Sequence, residues 1–89
     1  MPVTEIESIQ RDHLAMAVAH ALTIANLAAA SKGVALDEFL VTITEEVASP
    51  HRVWQIHYGP RDFVHRRGGD LTVFVNETTG QVQRILRGQ

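Results

Sequence analysis

The chain contains no cysteine, which excludes a disulfide framework and a thiolate zinc site as the support of a small fold. Neither glycine nor proline occurs between Glu5 and Ser31, so nothing in that stretch breaks a helix. The segment Met1 to Ser8 carries two acids and no base, the reverse of a signal peptide's positive start. No uninterrupted apolar run approaches the roughly 18 residues that a membrane span requires. These absences lead to the expectation of a cytoplasmic protein without a membrane role. No internal repeat or low-complexity run is present.

With 89 residues, 45% of them hydrophobic and 20% charged, the chain has the composition of one globular domain with one modest core. The formal net charge is −2 but is unevenly placed. Seven acids face only Arg11 and Lys32 as far as Glu46, whereas six arginines (Arg52, Arg61, Arg66, Arg67, Arg84, Arg87) face three acids beyond it. The field of the whole chain is weak and acidic, which disfavours nucleic acid as a partner.

Thr4 followed by Glu7 has the form of a capping box, and Gly33 stands where a left-handed C-terminal cap falls. The alanine-rich stretch between them predicts a helix over about residues 5–31, about 39 Å long. Spacing at 100° places Ile6, Ile9, His13, Met16, Ala17, His20, Ile24 and Leu27 on one stripe, with Leu14, Val18, Ala21, Leu22 and Ala25 on a second beside it. The two stripes cover more arc than one sheet face needs, which predicts a further surface against the helix, such as a second copy in a homodimer.

From Leu40 the pattern alternates. Strands are predicted over Leu40–Val47, Val53–Tyr58, Leu71–Asn76 and Val82–Arg87. Ser49-Pro50-His51-Arg52 and Glu77-Thr78-Thr79-Gly80 form turns, the latter a hairpin whose glycine takes positive φ. The fold class is therefore α+β, a long N-terminal helix packed on a four-stranded antiparallel meander, with the sheet over about 40–87. Gly59 to Gly69 is the one long connection, and loops of this kind carry function.

The residues offer little catalytic chemistry. His13 and His20 lie seven apart on the helix, too far to share a metal without other ligands. His51, His57 and His65 have no ligand spacing, so no metal or cofactor is expected. Glu45 and Glu46 point to opposite faces of a strand. No serine lies in a Gly-x-Ser-x-Gly elbow, and Gly68-Gly69 lacks the lysine and spacing of a phosphate-binding loop. His57, Tyr58, Arg61 and Asp62 form a conceivable acid/base cluster without a specific pattern.

The sheet face away from the helix is more informative. Alternation places Thr42, Thr44, Glu46, Val53, Gln55, His57, Thr72, Phe74, Asn76, Gln83, Ile85 and Arg87 there. A face left to water is more uniformly polar than this one, which mixes Val53, Phe74 and Ile85 with hydrogen-bonding groups. The candidate binding residues are Val53, Gln55, His57, Phe74 and Ile85, joined by Arg61, His65, Arg66 and Arg67 from the long loop. The alternative is a small-molecule binder or enzyme with a pocket between helix and sheet, lined by His13, His20, Trp54 and Tyr58.

Val53-Trp54-Gln55-Ile56, Gly68-Gly69, Leu71-Thr72-Val73-Phe74-Val75-Asn76 and Thr79-Gly80-Gln81-Val82 resemble the NTF2-fold immunity proteins of bacterial toxin systems. Val73 to Ile85 is also similar to the PepSY domain, a small module associated with peptidase inhibition. Both resemblances, confined to the C-terminal half, imply a cystatin-like helix against a curved antiparallel sheet. They also imply a non-catalytic module that acts by occluding a protein partner, with no catalytic residue and no cofactor.

Overall fold

A computed structural model describes residues 12–48, 51–61 and 69–88. It shows one helix on a four-stranded antiparallel sheet. Helix α1 (His13–Ser31) leads through a short 3-10 turn (Leu36–Glu38) to β1 (Phe39–Ala48), β2 (His51–Pro60), β3 (Leu71–Asn76) and β4 (Val82–Arg87). The strands lie in sequence order, each antiparallel to its neighbour.

The helix is shorter than its composition predicts. Asp12 is extended (φ −83°, ψ 102°) and its Oδ1 accepts from the Ala15 amide at 3.0 Å, so α1 begins there with 19 residues. Its carboxylate satisfies one of the orphan amides of the first turn. The Thr4–Glu7 box lies outside the described residues. The far end is as predicted, since Gly33 adopts φ +88°. There the Gly33 amide donates to the Ala30 carbonyl and the Val34 amide to that of Ala29, the paired closure of a Schellman motif. Arg87 also donates to the Lys32 carbonyl at 2.7 Å, setting a cation at the helix's negative end.

Packing selects the second stripe of the helix. Ala21, Ala25 and Ala29 are buried against Trp54, Ile56 and Tyr58 of β2 and Leu71, Val73 and Val75 of β3. Alanine lets the helix backbone approach closely, and the sheet supplies the bulk. From the first stripe, Met16 and Leu27 are exposed, as are His13 and His20. By length and mean hydropathy (1.6 over its apolar window) α1 meets the requirement of a membrane span, although polar residues interrupt its apolar runs. In the fold its alanine row is spent on the sheet.

The helix lies over β3, with β2 and β4 to either side. β1 extends beyond this cover, and on the helix side Val41 and Val47 remain 43% and 69% exposed.

At the β3–β4 hairpin, Asn76 Oδ1 accepts from the Thr78 and Thr79 amides at 2.8 and 2.9 Å. Gly80 takes φ +71°, and a Cβ there would stand 3.0 Å from His20 Cε1. The glycine thus serves both the turn and the close approach of the helix. In β4 the register slips between Phe74 and Val75: Val75 pairs with Val82 but Phe74 with Arg84. Gln83 is therefore the extra residue of a bulge, and each later side chain changes face. Ile85, opposite Val73, belongs to the helix side and packs against the core. Its predicted place on the opposite face, and that of Arg87, are corrected accordingly.

Beside this hairpin, Glu77 Oε2 is buried without a hydrogen-bond donor among the described residues. Its neighbour is the Glu45 carboxyl, which brings a second set of acceptor oxygens rather than a donor while ionised. Burial first, then the hydrogen bond and charge of Glu45, raise the Glu77 pKa, while Arg52 opposes the shift. A carboxyl with a raised folded pKa favours the fold below its ordinary value of 4.5, and this contribution is lost as pH rises through the folded value. Glu77→Gln keeps the neutral form at every pH. Urea unfolding should find it more stable than the wild type by about 1 kcal/mol at pH 7, with the difference vanishing near pH 4. A variant less stable at both pH values would contradict this reading.

Candidate functional site

The face opposite the helix carries two concavities lined by described residues. Strand register fixes its membership: Thr42, His57 and Thr72 lie side by side, as do Thr44, Gln55 and Phe74, and Glu46, Val53 and Asn76. Leu86 and Arg84 complete it from β4.

At one end Phe74 and Val53 are only 6% and 9% exposed, although no described element packs on this face. The Arg84 guanidinium lies over the Phe74 ring, 4.4 Å from its centroid, an arrangement that combines cation–π attraction with cover from water. Glu46, Val53, Phe74, Gln83 and Arg84 line a concavity of about 260 Å³. The bulge creates it, because Gln83 interrupts the ladder and turns Arg84 onto the aromatic ring.

At the other end His57 Nε2 and Asp70 Oδ2 are 2.9 Å apart. Since a carboxylate only accepts, Nε2 donates in this bond. Asp70 is held by its own carbonyl, which accepts from the Gly88 amide at 2.8 Å. The imidazole lies against Gly59, where a Cβ would approach Cε1 to 3.1 Å. Leu40, Thr42, Gly59 and Pro60 join the pair around a concavity of about 220 Å³.

Of the predicted binding residues, Val53, Gln55, His57 and Phe74 share this face, and Ile85 does not. Arg61 is exposed in the turn after β2, its amide donating to the Glu38 carbonyl. His65, Arg66 and Arg67 lie outside the described residues. Gly59 and Pro60, assigned to the long connection from sequence, belong to β2.

The pocket set is dispersed. Trp54 and Tyr58 are core residues, His13 is exposed, and the exposed His20 rests on Gly80. The Tyr58 hydroxyl donates to Asn26 Oδ1 at 2.6 Å, and burial pushes its pKa up to about 12. His57 and Tyr58, adjacent in β2, point to opposite faces, so the conceived acid/base cluster is not assembled. Several members of the observed site escape the sequence reading. Unbroken alternation from Gln83 puts Arg84 and Leu86 on the helix side, and Leu40 and Asp70 stand at the ends of the strand patterns. Among the described residues no group of three metal-ligating side chains occurs.

The chain matches no family model, no curated protein and no solved structure.

Proposed function

We propose that this protein is a small non-catalytic module that binds, and by binding inhibits, a protein partner through the sheet face opposite the helix. The observation that carries the reading is the Val53–Phe74 floor under Arg84. A buried aromatic capped by arginine, beside a concavity and within a polar rim, has the composition of a docking centre rather than of a solvated sheet face. The resemblance to NTF2-fold immunity proteins and the PepSY domain supports the inhibitory sense, since both imply occlusion of a partner. The dispersal of His13, His20, Trp54 and Tyr58 favours this reading over a pocket between helix and sheet.

Capture from lysate of the native host with immobilised protein tests it. Arg84→Glu reverses the charge over Phe74, and Leu27→Glu alters the exposed back of the helix. A discrete partner retained by wild type and Leu27→Glu, and reduced at least about tenfold by a folded Arg84→Glu, is the expected result. Equal retention by Arg84→Glu would reject the surface.

A further inference from the structure

Among the described residues β1 and β4 are the two edges of the sheet, and they are built differently. β4 is guarded: it is six residues long, bulged at Gln83, and carries Arg84 and Arg87. Short length, a bulge and charge all discourage a further strand. β1 has little of this protection. It pairs with β2 without a register shift over ten residues, Phe39–Ala48, and contains neither lysine, proline nor glycine. Its two charges, Glu45 and Glu46, stand together near one end. Leu40, Val41 and Val47 are exposed along it.

We infer that β1 is the seam of a twofold homodimer in which it pairs antiparallel with β1 of a second copy. A twofold axis between antiparallel strands runs perpendicular to the sheet, so both helices stay on one side and each residue meets one of its own face. Centring on Ile43 would set Leu40 and Val41 opposite the partner's Glu46 and the partner's Glu45. Centring on Thr44 sets Val41 opposite the partner's Val47 twice over, Thr42 opposite the partner's Glu46 and Ile43 opposite the partner's Glu45, so one apolar residue of each copy meets an acid rather than two. No carboxylate then faces another.

The second copy is the occupant that this pattern fits. Acids grouped at one end are separated by antiparallel self-pairing and set together by parallel pairing. The resulting eight-stranded sheet has β4 at both outer edges, so only the guarded edge remains open. The apolar excess of the helix does not enter this seam, and the dimer does not depend on the docking face proposed above.

Sedimentation velocity of the full chain over a concentration series tests the inference. Thr44 is exposed and meets its own copy on the axis, so Thr44→Lys places two ammonium groups together, and Thr44→Glu two carboxylates. Wild type should sediment as a dimer of the 9.9 kDa chain. Each single variant should be weakened at least about tenfold by like-charge opposition, and an equimolar mixture of the two should recover the dimer. Circular dichroism verifies that each variant is folded. A monomeric wild type, a dimer unaffected by Thr44→Lys, a dimer lost instead in Leu27→Glu, or no recovery on mixing would each overturn the inference.

Discussion

Ile56→Ala should lower the free energy of unfolding by about 3 kcal/mol. Ile56 is fully buried at the centre of β2, paired with Ile43 on one side and Val73 on the other, and belongs to the cluster that receives the alanine row of the helix. Truncation loses its transfer free energy and leaves a cavity that the sheet is too constrained to collapse. A domain of this size has a total stability of about 4–13 kcal/mol, and the loss corresponds to a fall in melting temperature of about 15 °C. Urea unfolding of both proteins gives the difference directly. A cost below about 1 kcal/mol would place the core elsewhere.

Asn76→Ala should cost about 2 kcal/mol. The side chain is 7% exposed, and its Oδ1 receives two backbone amides of the hairpin. Removing it leaves both donors without that partner at a turn where the Asn76 carbonyl also accepts from the Gly80 amide at 2.8 Å. Asn76→Asp keeps an acceptor in place and should regain part of the loss. Equal destabilisation by alanine and aspartate would show that the turn does not depend on this acceptor.

Much of the fold was legible because its signals are local. Gly33 closes the helix as its position indicated, and β3 and β4 occupy the predicted residues. What failed depended on a single inserted or isolated residue. Val82 to Arg87 alternates acceptably in either phase, so only the slip beside Phe74 reveals that Ile85 faces the core and Arg84 the face opposite the helix. The lone Asp12 that caps α1 is a weaker pattern in sequence than the Thr4–Glu7 box, which lies outside the described residues. Asp70 reaches His57 through the β2–β3 register, 13 residues apart in sequence, a relation no spacing motif encodes. Of the broad apolar arc of the helix, the buried part is the alanine stripe, since small side chains allow the closest approach of helix and sheet.

The proposed docking surface is the sheet face opposite the helix. The most direct measurement is the chemical-shift footprint of the captured partner on the isotopically labelled chain. Shifts concentrated at Val53, Gln55, Phe74 and Arg84, with Met16 and Leu27 unmoved, are the expected result. A footprint centred on Met16 and Leu27, with the Phe74 and Arg84 signals unchanged, would contradict it.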